Sequence, residues 1–237
     1  MEIRDNSCQK NRKYRLIYKF TKKFHIRNTI LKKILTMLLK SNSELRTEAR
    51  QALSGKWAEN ALFYFVYTLI VGGCGGTLGF IIPGGGGFII SLLLAPMAYN
   101  AIIAFLRQLR GDSLELGDLF QNFKSQPWVT LIYKYIYTML WTLLLIIPGI
   151  VKSYSYAMTE YLIHDDPTLV NDAAIDKSMA MMSGHKLDLF LLDLSFIGWY
   201  LLGILSFGIG MFWVIPYHYT ARAAFYEELK NEGSYEK

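Results

Sequence analysis

The chain has 237 residues, of which 52% are apolar and only 19% charged, with a net charge of +6. A soluble domain carries about 25% charge, and the deficit here is concentrated. No Asp, Glu, Lys or Arg occurs between Ala61 and Leu106 or between Leu194 and Ala221. About 20 apolar residues suffice to cross a bilayer, so an ordinary soluble enzyme domain is excluded and a multi-spanning membrane protein is expected.

Residues 1–42 form a basic extension. Residues 1–56 hold 15 Lys/Arg against 4 Asp/Glu, whereas residues 57–237 hold 10 against 15. Ile26, Ile30, Ile34 and Leu38 recur at helical spacing, with Lys32, Lys33 and Lys40 on another side. A helix lying on anionic lipid headgroups is expected, or a disordered basic tail. No recognition element for nucleic acid accompanies the charge, so nucleic acid is not an expected partner. Met37 offers a second translation start, which would remove the extension.

Residues 43–229 form the membrane domain, followed by a short tail at 230–237. Ser41 with Glu44 fits a capping box, and Leu45, Ala49, Ala52 and Leu53 share one face of a helix. The first apolar region, about Asn60 to Leu106, is split by Pro83 and Gly84–Gly87. Gly72 with Gly76 and Gly75 with Gly79 are small-xxx-small pairs that admit close helix packing. Leu116, Leu119, Phe120 and Phe123 predict a second amphipathic helix. The second apolar region runs from about Trp128 to His164 and is split at Pro148-Gly149. Its second half, Gly149 to His164, is short and polar for a span, and Tyr154, Tyr156 and Tyr161 suit an interface or a bundle interior. Asp166-Pro167 predicts the start of a third amphipathic helix carrying Val170, Ala174, Ser178, Met181 and Met182 on one face and ending near Gly184. The third apolar region, about Asp188 to Glu227, is split at Ser206 to Gly210.

The expected fold is all-α, with six transmembrane helices as three hairpins, each preceded by a cytoplasmic amphipathic helix. Lys/Arg asymmetry sets the orientation: 23 of the 25 lie on the side of both termini and both long loops, and the three opposite turns hold none. Both termini are therefore expected in the cytoplasm.

Four separated blocks carry a family likeness: SELRTEARQALSGKWAENAL at 43–62, PGIVKSYSYAMTEYLIHDDP at 148–167, AAIDKSMAMMSGHKLDLFLLDL at 173–194 and YHYTARAAFYEEL at 217–229. They resemble the bacterial integral-membrane family called domain of unknown function 975. The middle blocks are more distantly similar to the membrane domain of some glycerophosphodiester phosphodiesterases. The resemblance implies a polytopic protein of the bacterial plasma membrane and transfers no catalytic residues.

No catalytic, cofactor or metal constellation stands out. The glycines at 72–79 lack a P-loop pattern, and three neighbouring side chains in His164-Asp165-Asp166 cannot all face one ion from a regular helix. His185 is read as a helix C-terminal feature. No enzyme activity and no cofactor are expected. The informative polar residues are Lys134, Glu160, Asp193 and Arg222, each roughly 6–10 Å from the inner end of a span at 1.5 Å per residue, together with His218 within the last span. Such groups usually face a bundle interior or a cavity. Equal depth in antiparallel limbs pairs Lys134 with Glu160, Asp193 with Arg222 and Glu59 with Arg110. The first functional expectation is a non-enzymatic envelope protein that binds or organises a protein or lipid partner. The alternative is a transporter or permease-like module for a small solute or lipid, which a water-accessible cavity lined by Lys134, Glu160 and Asp193 would favour.

Overall fold

In a computed structural model, the chain divides into two compact units, Met1–Lys40 and Ser41–Lys237. The structure describes residues 40–81, 94–121, 127–169 and 171–233. The basic extension, the turn at Pro83–Gly87, Phe123, Val170 and the end of the tail lie outside the described residues. Among the described residues every regular element of the second unit is a helix.

Helix α1 is Asn42–Leu53. The Ser41 hydroxyl accepts from the Glu44 N–H at 3.3 Å, and the Glu44 carboxylate accepts from the Ser41 N–H at 2.6 Å. Two orphan donors at the helix start are thereby satisfied. Its apolar stripe, Leu45, Ala49 and Leu53, is fully buried. Helix α2 spans Trp57–Ile81 and α3 spans Ala95–Leu109. They meet through Phe63 and Phe105, edge to face at 5.7 Å, in a core that includes Met97, Ala101 and Leu119.

The expected second amphipathic helix is reduced to one 3-10 turn, Leu116–Phe120. Of its large apolar residues only Leu119 is buried, beside buried Asp118, while Leu116 and Phe120 are exposed. Buried Asn100 explains the short element: its amide donates to the carbonyls of Leu119 and Gln121, which then fix a turn instead of continuing a helix.

Helices α4, Pro127–Leu144, and α5, Ile146–Ser155, form the second hairpin. The chain reverses at Leu145, whose backbone is extended, and not at Pro148-Gly149. Pro148 lies in the first turn of α5, where no backbone N–H is needed. Gly149 serves the crossing instead, since a Cβ there would lie 2.6 Å from Thr142 Cα. The returning limb is not one continuous helix. It breaks at residues 156–158 and resumes as α6, Thr159–Asp165. Helix α7 is Asp172–Met181 and starts five residues beyond Pro167. The Asp166 carboxylate folds back onto Thr168, so Asp166-Pro167 forms a turn and not a helix start.

Helices α8, Lys186–Leu194, and α9, Ile197–Leu205, follow one another through a tightened turn. The Ser195 carbonyl in that turn accepts from Arg46 at 3.2 Å. Together, Lys186–Leu205 is long and apolar enough to cross a membrane, the one such stretch among the described residues. The chain reverses at 206–210, with Phe207 and Gly208 at positive φ, into α10, Met211–Glu232. Helix α10 is the hub of the unit and packs against α1, α2, α3, α8 and α9. Both hairpin tips are apolar and exposed: Leu143 is 79% exposed, Ile147 75%, Leu205 77% and Phe207 98%.

Candidate functional site

The polar residues of the apolar regions converge between the second and third hairpins. Lys134 on α4 meets Glu160 on α6, with Nζ 2.5 Å from Oε1. Asp193 on α8 is held by Arg222 on α10, whose Nε donates to Oδ1 at 2.9 Å and whose Nη2 donates to Oδ2. His218, one turn before Arg222, shares its face. His218 Nε2 lies 2.7 Å from Asp193 Oδ1, and Nδ1 lies 2.7 Å from the Tyr200 hydroxyl. A neutral imidazole with its proton on Nε2 satisfies both bonds, Tyr200 then donating to Nδ1. The Tyr154 hydroxyl donates to Asp193 Oδ2 at 3.0 Å. Both oxygens of Asp193 are thus occupied twice.

These groups border a cavity of about 310 Å³. Lys134, Glu160 and Arg222 form its charged wall, and Tyr135, Tyr154, Tyr161, Tyr219, Thr138 and Ser153 line it further. Asp193 and His218 stand behind Arg222 and do not line it. Glu160 and Tyr161 are buried, while Tyr135 is 45% exposed. Lys152 lies elsewhere, with its ammonium 5.0 Å from the centre of the Trp141 ring. The tyrosines were legible only as interior or interface residues. The signal for two of them is the seven-residue interval between Tyr154 and Tyr161, two helical turns apart.

A second charged cluster lies where α3, α6 and α10 meet. Arg110 donates to both oxygens of Asp165, at 2.7 and 2.8 Å, and to Glu227 at 2.7 Å. Asp165 also accepts from Tyr226 at 2.8 Å and Lys230 at 2.6 Å. Burial pushes the Asp165 carboxyl up, but the bonds from Arg110, Lys230 and Tyr226 outweigh it and hold the group well below the usual carboxylate range. The expected Glu59–Arg110 pair does not form, and Glu59 is exposed. Equal depth does not fix rotation about the helix axis, and Arg110 turns to another hairpin.

Asp165 and Asp166 have separate partners, and no group of three or more His, Cys, Asp or Glu is placed to hold a metal ion among the described residues. His185 is buried at the N-cap of α8, not at a helix C-terminus, with Nδ1 3.3 Å from Asp188 and Nε2 3.4 Å from Glu232. Gly72 is exposed with open space around it, so no close helix contact occurs there. Gly75, Gly76 and Gly79 lie in the last turns of α2, and their surroundings lie outside the described residues. Close approaches occur instead at Gly149 and between Gly203 and Gly210, beside the two turns.

Helices α4 to α10 carry the cavity and most of both clusters. Residues 128–233 match the family described as Protein of unknown function (DUF975). The matched segment contains the blocks at 148–167, 173–194 and 217–229, whereas the block at 43–62 precedes it. Neither a curated protein nor a solved structure matches the chain, and the likeness to glycerophosphodiester phosphodiesterase membrane domains gains no support.

Proposed function

We propose that this is a multi-pass protein of a bacterial plasma membrane, with six spans in three hairpins and both ends cytoplasmic. It acts without catalysis, as a permease-like module that admits a small polar solute or a lipid headgroup. The observation that carries this reading is the cavity, whose wall brings Lys134, Glu160 and Arg222 from three helices to one space. Ionisable groups in spans mark solute and ion pathways when they line a cavity. The exposed apolar side chains of Leu143, Leu145, Ile146 and Ile147, those of Leu205, Phe207 and Ile209, and the apolar stretch Lys186–Leu205 support embedding in lipid. The rival reading, a scaffold that docks partners through cytoplasmic amphipathic helices, needs free apolar faces. The stripe on α1 is buried against α10, and the second amphipathic element is a single turn whose only exposed apolar side chains are Leu116 and Phe120.

Thiol labelling in intact cells tests the reading. In a Cys74→Ser background, Gly85→Cys is expected to react with an impermeant reagent from outside and Cys8 is not. With Cys8 also replaced, Ser153→Cys is expected to react with a small hydrophilic reagent. Labelling of Cys8 from outside contradicts the topology, and an inert Ser153→Cys contradicts the open cavity.

A further inference from the structure

Resting on the reading of the cavity as a ligand site, we propose that it binds a singly charged oxyanion, such as the phosphodiester of a lipid headgroup. Hydrogen-bonding capacity in the wall is unequal. The Lys134 ammonium has three N–H donors and gives one to Glu160; the Arg222 guanidinium has five and gives two to Asp193. Tyr135, Tyr161 and Tyr219 line the cavity, and their hydroxyls have no hydrogen-bond partner among the described residues. Tyr161 is only 3% exposed, so its hydroxyl has little but the cavity to serve. Against these donors the wall's one anionic acceptor is Glu160, with its second oxygen open, because Asp193 is fully engaged behind Arg222; the neutral hydroxyls can accept as well as donate.

A site with surplus donors in a poorly solvated place selects a group with several acceptor oxygens and negative charge. Lys134, Glu160 and Arg222 give the wall a formal charge of +1, and Asp193 stands behind Arg222, so the wall does not offset a dianion. One negative charge spread over two or more oxygens meets both conditions. The monoanion of free phosphate and a lipid phosphodiester share this chemistry, and the test, run at mildly acidic pH, separates them.

The detergent-solubilised full chain would be titrated with dihexanoylphosphatidylglycerol, with inorganic phosphate and with dihexanoylglycerol as a neutral control. Tyr161→Phe keeps the ring and loses no protein hydrogen bond, so it is expected to unfold at the wild-type temperature. Loss of one hydrogen bond to a charged ligand is expected to weaken binding about tenfold. Saturable binding of the short-chain lipid, weakened to that extent by Tyr161→Phe, supports the proposal with a lipid source. The same pattern with inorganic phosphate alone supports it with a soluble source. Binding of neither, binding that Tyr161→Phe leaves unchanged, or equal binding of the neutral control overturns it. Ser153→Cys separates the two levels of failure. A reactive thiol without oxyanion binding discards the ligand class and retains the cavity as a site; an inert thiol discards both.

Discussion

The two charged clusters use the same residue types to opposite ends. Around Asp165, the carboxylate receives Arg110, Lys230 and Tyr226, and Arg110 is further engaged by Glu227. Both oxygens of Asp165 are engaged there, the spare donors of exposed Lys230 face solvent, and the cluster ties α3, α6 and α10 together. Around the cavity, Lys134 and Arg222 are each paired once, and three tyrosine hydroxyls are left without protein partners among the described residues. Saturated polar groups hold a structure, whereas a surplus of one kind leaves room for a ligand. Charge alone distinguishes neither.

The largest expected effect comes from Lys134→Glu, which sets two carboxylates against each other in the cavity wall. It should cost about 4 kcal/mol, as for a buried pair broken from one side, and impair expression. Adding Glu160→Lys should restore part of the loss. A double variant no more stable than the worse single one breaks the view that this pair is a structural unit. Asp165→Asn comes next, at about 3 kcal/mol, because Arg110 and Lys230 lose a shared partner. Its pH response sharpens the comparison. The folded Asp165 carboxyl titrates below its unfolded value, so its contribution is present above about pH 4 and is lost as the pH falls further. Thermal unfolding in detergent should show wild type losing more stability than Asp165→Asn on acidification below that point.

Gly149→Ala should cost about 2 kcal/mol by overpacking against Thr142. It pushes α5 from α4, so it should change the reactivity of a thiol at position 153 and leave the acid response of the Asp165 cluster intact. Gly198→Ala, with open space around it, is the matched control. Tyr161→Phe should shift stability by no more than about 0.5 kcal/mol, and a larger loss would show that the hydroxyl serves the fold.

Local signals were the legible ones. The Ser41–Glu44 box sets the start of α1 because both bonds close within three residues, and the run from Ser206 to Gly210 reverses the chain because Phe207 and Gly208 take positive φ. Proline misled twice. Pro148 reads as a breaker but is harmless in a first helical turn, and Pro167 reads as a helix start but follows an aspartate that closes its own turn on Thr168. Depth along a helix is countable, and Lys134 does meet Glu160 while Asp193 meets Arg222. Rotation is set by packing between hairpins, so Arg110 finds Asp165 and Glu227 instead of Glu59. The cavity shares this dependence: nothing in the spacing of Tyr135, Tyr161 and Tyr219 places them around one space.

The central claim is that the space bounded by Lys134, Glu160 and Arg222 is open and donor-rich. The most direct measurement is the labelling rate of Ser153→Cys, in a chain lacking Cys8 and Cys74, with an anionic and a cationic methanethiosulfonate reagent, each relative to its rate with a free thiol. A wall with surplus donors should favour the anionic reagent by about tenfold, the worth of one charge-assisted hydrogen bond. Equal relative rates, a preference for the cationic reagent, or no reaction with either would contradict it.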